Sequence, residues 1–350
     1  MALAVAEDWD RLAKDNNAIG FIDTLLRGAG QVMFQDNPVT GLLFLAGITW
    51  GALAADQWQV AVGAAVALLV ATITAKLLSV DQKAVHQGLY GFNGILVGAA
   101  VPTFLGTNSY MWIYLVVGAA VSAVVMMAIA NVFATWGVPA LTFPFVLTTW
   151  FLVLGAWSFN HIKPVALGPT GFPVAIDNNA AHLSVTASML GETLFRNVAQ
   201  VFLINNVVTG VIFVIALAVS SRWSAIFALL GSALAIATAL ALGASASGIT
   251  NGLYGFSAVL TAIALGSIFY TPGWRVLAFT VLGTIFTVII QGALNAALSP
   301  IGIPTFTAPF VFATWLFLLP KEKFMPIPHA PIAHDAVSTK TATTTSGASS

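Results

Sequence analysis

The sequence contains no cysteine, and only 7% of its 350 residues are charged. Without cysteine, the chain can form no disulfide bond and offers no thiolate as a nucleophile or a metal ligand. Its 12 basic residues are balanced by 12 acidic residues and form no basic block, so the charge pattern does not indicate a nucleic acid partner. A soluble domain usually contains about 25% charged residues, and this deficit of charge argues against a water-soluble protein.

Apolar sequence is abundant: 59% of the residues are hydrophobic, and the mean hydropathy is +0.94. Several apolar stretches approach the roughly 20 residues with which a helix crosses a bilayer. A membrane β-barrel would instead alternate apolar and polar residues over about ten positions, whereas the stretches here are continuous. The first residues, 1–18, mix acidic and basic groups, which is not the pattern of a signal peptide. The sequence therefore predicts an all-α integral membrane protein.

Each half of the chain offers one short, interrupted apolar segment followed by five longer ones. In the first half the short segment is 19–36, and the longer ones are 38–55, 58–78, 88–104, 111–133 and 137–157. In the second half the short segment is 187–205, and the longer ones are 207–221, 223–243, 251–270, 273–299 and 303–319. We expect an N-terminal segment (1–18), a first membrane repeat (19–157), an outer connecting loop (158–186), a second membrane repeat (187–319) and a disordered polar tail (320–350).

Three phrases of the first half return in the second. They are RGAGQVMFQDNPVTG (27–41) and RNVAQVFLINNVVTG (196–210), GLYGF at 88–92 and 252–256, and GVPALTFPFVLTTWFLVL (137–154) and GIPTFTAPFVFATWLFLL (302–319). The separation between the two copies is nearly constant along the chain. This pattern indicates that one unit was duplicated.

The number of crossings predicts how the two halves are related. Because five is odd, the second half must enter the membrane from the opposite side to the first, which gives an inverted-topology repeat with a binding site between the halves. Ten crossings place both termini on one side. If that side is the cytoplasm, the outer connections contain one basic residue, Lys163, and two arginines lie on the short segments. The remaining basic residues then lie in the cytoplasm, where membrane proteins usually have an excess of lysine and arginine. We therefore predict a multi-pass cell-membrane protein with both termini in the cytoplasm.

The short segments 19–36 and 187–205 are predicted to be re-entrant pore helices. A segment too short and too polar to span is tolerated in the membrane where it is buried in protein or lines a wet cavity. Gln31 and Gln200 occupy the same position in the two segments, and each amide offers an acceptor and two donors to a small polar solute. The alternative is that the two glutamines join helices by hydrogen bonds. Val201, directly after Gln200, is predicted to line the same site.

Asp23 and Glu192 also occupy matching positions, near the start of the short segments. We expect them to cap the N-termini of these helices, where the helix dipole favours a negative charge. The longer spans carry almost no ionisable residues. Proton-coupled transporters usually have intramembrane carboxylates or histidines, so this absence argues against coupled transport.

Thr142 and Thr307 stand two residues before a proline in the third repeated phrase. Proline disfavours helix in the residue before it, so backbone carbonyls are freed near each threonine. A hydroxyl beside bare carbonyls forms a short ladder of acceptors that suits a neutral solute with N–H donors. Helices that are kinked for structural reasons, without solute contact, are the alternative.

Two apolar pairs follow the repeated GLYGF. Phe92 and Leu96 are four residues apart and share a helical face, as do Phe256 and Leu260. Two such faces opposed across an axis would form a slot that admits flat small molecules and excludes hydrated ions. A Phe/Leu stripe taken alone would instead be core or lipid-facing.

Three other functions are compatible with parts of the sequence. They are a coupled secondary transporter built on the same inverted repeat, a channel for another small neutral solute such as ammonia or water, and a membrane enzyme that acts on lipid. The enzyme would need polar catalytic groups, and the segment 159–182 with His161, Asp177 and His182 is the one candidate. A structured outer loop is the preferred interpretation of that segment.

The phrases QVMFQDNPVTGLLFLAGI, GLYGFNGILVG and PALTFPFVLTTW, with their second-half copies, closely resemble the urea transporter family over residues 19–319. That resemblance implies a homotrimer in the membrane, with passive urea diffusion through a separate pore in each subunit and no cofactor. By motif, it implies that urea contacts the paired polar, threonine, phenylalanine and leucine residues. These residues are Gln31, Gln200, Thr142, Thr307, Phe92, Leu96, Phe256 and Leu260.

Overall fold

The computed structural model describes residues 9, 11–168, 170–174 and 183–321. Part of the predicted N-terminal segment and nearly all of the predicted tail lie outside these residues. The described residues contain no β-strand, only an isolated bridge between Leu105 and Pro164. The prediction of an all-helical protein is confirmed.

Among the described residues, the first half contains seven α-helices after a helical segment at 11–15. They are α1 (Asn17–Gln31), α2 (Pro38–Ala54), α3 (Trp58–Leu77), α4 (Gln82–His86), α5 (Gly91–Phe104), α6 (Ser109–Ala134) and α7 (Phe143–Ala156).

The second half repeats this order within the described residues. Its helices are α8 (Ala187–Ala199), α9 (Val207–Ser220), α10 (Arg222–Ala241), α11 (Ala246–Thr250), α12 (Phe256–Ile263), α13 (Trp274–Leu298) and α14 (Ala308–Leu318). A 3₁₀ turn extends α8 through Phe202, a π-helical turn extends α12 through Ile268, and a second 3₁₀ turn extends α13 through Ile301. The five-residue helices α4 and α11 were not predicted from the sequence.

The helices that follow α1 and α8 begin at asparagine caps. Asn37 accepts hydrogen bonds from the backbone of α2, and Asn206 accepts one from that of α9. Pro38 stands in the first turn of α2, where its missing N–H costs nothing. Asn16 and Thr186 cap α1 and α8 in the same way.

The prediction that Asp23 and Glu192 cap helix N-termini is wrong. Asp23 is fully buried in the second turn of α1, where its carboxylate accepts from Arg27 Nε at 2.6 Å and from Trp9 Nε1 at 2.7 Å. Glu192 forms an ion pair with Arg196, four residues later, at 2.9 Å. Asn16 and Thr186, about two turns earlier, already accept from the first N–H groups, and the acidic residues pair with arginines along the helix.

Four helices of the described chain are long and apolar enough to cross a membrane: α3, α6, α10, and α13 with its 3₁₀ extension. A fifth crossing is counted if α8 and α9, which are bent by 76° at the break between them, are taken together. The other apolar helices are shorter than the roughly 20 residues of an average span. The chain is a multi-pass membrane protein.

The two halves contact each other through corresponding helices. α2 packs on α9, and α7 packs on α14. Thr40 Oγ1 donates to the carbonyl of Ala216 at 2.8 Å, and Thr209 Oγ1 donates to that of Gly47 at 2.9 Å. Thr40 and Thr209 occupy the same position in the repeated phrase, so each half donates one equivalent hydrogen bond to the other.

Candidate solute-conducting site

Two cavities lie at the junction of the halves. The narrow cavity has a volume of about 10 Å³. Its lining residues are Gln31, Val32, Phe34, Phe92, Leu141, Thr142 and Phe310. The wide cavity has a volume of about 540 Å³.

Each lining residue of the narrow cavity has its repeat counterpart in the lining of the wide one. In the same order, these counterparts are Gln200, Val201, Leu203, Phe256, Phe306, Thr307 and Phe145. The two cavities are therefore equivalent places in the two halves. They differ in size because further residues, some of them from the connecting segment, extend the wide cavity outward.

Thr142 and Thr307 lie between the two cavities. Their hydroxyl oxygens are 2.6 Å apart and share a hydrogen bond, and each residue is 2% exposed. Each threonine directly precedes the first turn of α7 or α14, and a proline occupies that turn. The sequence predicted two equivalent hydroxyls near the centre but not that they would bond to each other.

Gln31 is the last residue of α1 and Gln200 directly follows α8, and the two side chains are held in the same way. Gln31 Nε2 donates to the carbonyl of Gln87 at 3.0 Å, and Gln200 Nε2 donates to that of Asn251 at 2.7 Å. Both glutamine side chains are half-buried, and each lines one cavity. The hydrogen bonds hold each amide against the short helix that precedes the GLYGF phrase, with its side chain facing the cavity.

The backbone is strained around both cavities. Phe34, Leu141, Leu203 and Phe306 have φ between 48° and 64°, a region that residues with a Cβ rarely adopt. All four line a cavity, and they form two repeat pairs. Strain of about 1–3 kcal/mol for each such residue persists where the surroundings enforce it, and it is concentrated at functional sites.

The predicted aromatic slot is divided between the cavities. Phe92 lines the narrow cavity, whereas Phe256 and Val201 line the wide one. Leu96 and Leu260 are fully buried and are not among the described residues that line either cavity. The structure thus brings the glutamines, threonines and phenylalanines to the cavities and leaves the two leucines in the surrounding core.

Sequence reasoning missed a polar group in the wide cavity, formed by Gln291, Asn295, Ser299 and Thr305. The first three residues are spaced four apart at the end of a mostly apolar span. That spacing was available as a signal, because polar residues on one face of a spanning helix point to a partner or a cavity.

A charged cavity of about 280 Å³ lies beside α1. Its lining includes Asp23, Arg27, Asp36 and His86. Arg27 bonds to Asp23 and, through Nη1, to Asp36 at 2.8 Å, and His86 Nε2 lies 3.8 Å from Asp23. Gln87, whose carbonyl holds Gln31, belongs to the same lining.

The segment considered for lipid chemistry shows no catalytic arrangement in its described part. The ring of His161 stacks on Tyr110 with 4.5 Å between centroids. Asp177 and His182 lie outside the described residues. Within the described chain, no group of three or more His, Asp or Glu side chains could hold a metal ion.

Known proteins match this chain over most of its length. The family model described as Urea transporter matches residues 22–322. Urea transporter 1 of Ovis aries is 32% identical over 319 residues, which is 90% of this chain and 81% of that protein. Urea transporter 1 of Rattus norvegicus is 32% identical over 302 residues, which is 85% of this chain and 77% of that protein. The chain therefore belongs to the urea transporter family.

Proposed function

We propose that the chain facilitates passive urea diffusion across a membrane through a route formed by the two cavities and the threonine pair. As a member of its family it is a membrane transporter and not an enzyme. One observation carries the route: the cavities are lined by corresponding residues of the two halves, and hydrogen-bonded Thr142 and Thr307 lie between them.

An inverted repeat is supported by contacts that the halves make reciprocally. Trp150 Nε1 donates to the carbonyl of Pro304 at 3.0 Å, and Trp315 Nε1 donates to that of Pro139 at 2.8 Å. These pairs, like the threonine pair, are what a two-fold axis between the halves produces. We assign five spanning helices and one re-entrant pore helix to each half, with α1 and α8 as the pore helices. An odd number of crossings then places the axis in the membrane plane.

The lining chemistry suits a neutral, flat solute with N–H donors. Urea leaves water at one glutamine, passes the two hydroxyls and reaches the other glutamine. Gln31, Gln200 and the threonines replace the hydrogen bonds to water, while Phe92, Phe256 and Val201 exclude its hydration shell. Because one hydrogen bond replaces another, no step leaves a polar group unpaired, which would cost about 1–3 kcal/mol.

The remaining assignments follow from the sequence patterns. We assign the chain to the cell membrane with residues 1–18 and 320–350 in the cytoplasm, membrane repeats at 19–157 and 187–319, and the segment 158–186 outside. Besides membrane lipid, the partners are two further copies of the chain. Native mass spectrometry should then give three times the 36.5 kDa mass of one chain.

Stopped-flow light scattering of proteoliposomes tests the function. We expect fast urea uptake that is unchanged when a proton or sodium gradient is imposed, with glycerol excluded. Empty liposomes are the control. Uptake that requires an ion gradient would contradict the passive route and identify a coupled carrier, and equal uptake of glycerol would contradict the selectivity.

A further inference from the structure

A row of polar residues follows one face of α13 along the wide cavity. Gln291, Asn295 and Ser299 are spaced four apart, so they lie on the same side of the helix and its 3₁₀ extension. They line the cavity together with Thr305. These four residues are called the polar row below.

The polar row has no equivalent in the first half. Counted back from the third repeated phrase, the corresponding residues are Met126, Ala130, Ala134 and Ala140. Alanine side chains have no hydrogen-bonding group, and the thioether of methionine is only a weak acceptor. Because the same fold is built in the first half without these groups, the polar row is not a requirement of the fold.

Gln291 is the centre of the row. It is 3% exposed, and its Nε2 donates to Asn295 Oδ1 at 2.9 Å and to Thr305 Oγ1 at 2.8 Å. Its Oε1 is buried and has no hydrogen-bond partner among the described residues. A buried amide oxygen without a partner is unfavourable and requires an explanation. A bound solute with N–H groups would supply the missing donor.

We infer that the polar row is a urea-binding site in the wide cavity, separate from the positions at Gln200 and the threonine pair. This inference rests on the proposed function. Urea binds first to the exposed amide of Asn295. The amide oxygen of Gln291 is covered in this structure, so it accepts a urea N–H group only after the Gln291 side chain turns toward the cavity. The site collects urea at the wide mouth before the solute reaches Gln200.

The composition of the cavity selects a neutral amide over an ion. Among the described residues that line it, none is ionisable. Phe104, Phe256 and Phe306 add aromatic surface to the same lining. Neutral amide and hydroxyl groups can match both the donors and the acceptor of urea, whereas a cation would find no compensating charge.

Anomalous diffraction from crystals of the full chain soaked in selenourea tests the site. We expect a selenium peak beside Asn295. The test variants are Gln291→Met and Asn295→Ala, which introduce the residues of the first half. Asn131→Ala is the matched control, because Asn131 is an exposed asparagine of α6 and is not among the described residues lining either cavity.

In Asn295→Ala, and in the variant that combines it with Gln291→Met, the peak should disappear, while any peaks near Gln200 and the threonines remain. In proteoliposomes, the urea concentration that half-saturates uptake should rise about two- to tenfold, the effect of losing one or two hydrogen bonds, and the control should match the wild type. If Gln291→Met does not fold, Asn295→Ala alone is sufficient, since its side chain is exposed.

No peak at Asn295 in the wild type, or a peak that persists in Asn295→Ala, would overturn the inference while leaving urea uptake intact. Failure of the wild type to take up urea would instead overturn the proposed function.

Discussion

At the scale of single residues, the centre of the proposed route is one hydrogen bond between two threonines. Their hydroxyls are buried, bond to each other, and face a cavity on either side. A solute that passes between the cavities must exchange hydrogen bonds with this pair. The two hydroxyls are therefore the groups whose removal should affect transport most directly.

The double substitution Thr142→Val with Thr307→Val keeps the shape of both side chains and removes both hydroxyls. We expect urea flux to fall about tenfold or more, because passing urea would leave N–H groups unpaired at a cost above about 1 kcal/mol. Stopped-flow permeability per reconstituted protein measures the effect. Thr49→Val is the control, since exposed Thr49 bonds only to the carbonyl of Leu45 within its own helix. A double variant that conducts urea like the wild type would rule out the hydroxyls as contacts.

Residue-level prediction from the sequence was uneven for a physical reason. Duplication marked Gln31, Thr142 and their counterparts, because a polar residue kept twice in apolar surroundings stands out. It could not distinguish a lining phenylalanine from a buried leucine, since both are apolar and share one helical face. A search for repeated residues also missed Gln291, because this glutamine has no counterpart in the first half.

At the scale of elements, α1 and α8, the proposed pore helices, are held by close packing against the helices that follow them. Gly41 in α2 lies against the carbonyl of Leu26 in α1, and Gly210 in α9 lies in the same way against that of Phe195 in α8. A Cβ at either glycine would overlap the carbonyl oxygen. The position of each pore helix therefore depends on one missing methyl group.

Gly41→Ala and Gly210→Ala should each destabilise the protein by about 1–3 kcal/mol and reduce urea flux, because the pore helix must move to make room. Thermal unfolding in detergent and stopped-flow uptake measure the two effects. Gly191→Ala is the matched control in α8: nothing lies within 4 Å of the added Cβ, so this variant should unfold at the same temperature or higher. Equal melting temperatures for all three variants would contradict this view of the packing.

Most long helices could be located from apolar runs bounded by proline, glycine and asparagine. The predicted segment 58–78 corresponds to α3 (Trp58–Leu77), for example, because the run is long and its ends are polar. The five-residue helices α4 and α11 could not be found, since they are too short for periodicity to show. The π-helical turn after α12 was not predicted from the sequence either.

At the scale of the whole molecule, the two cavities differ from each other more than the helical frameworks of the two halves do. The cavity near Gln31 is narrow and adjoins a charged cavity with Asp23, Arg27 and His86, whereas the cavity near Gln200 is wide and lined by amides, hydroxyls and aromatic rings. The two halves have the same order of helices, whereas the residues around the two cavity openings differ. Net passive flux must nevertheless be zero at equal urea concentrations, and the permeability at low urea concentration must be the same in both directions, whatever the two mouths bind.

The proposed orientation can be tested because the chain has no native cysteine. Lys163→Cys should react with a membrane-impermeant maleimide in intact cells, and Lys83→Cys should react only after permeabilisation, since three crossings separate the two positions. The cysteine-free wild type is the control. Labelling of both positions from the same side would contradict five crossings in each half, and the reverse pattern would place the termini outside.

The reciprocal contacts also govern the order of events during synthesis. The indole of Trp150 and the hydroxyl of Thr40 belong to the half that is made first, yet their acceptors, Pro304 and Ala216, belong to the half that is made last. Until these acceptors have been synthesised, the two donors have no native partner. The first half alone therefore cannot form all of its native hydrogen bonds, and folding is completed only when the second half arrives.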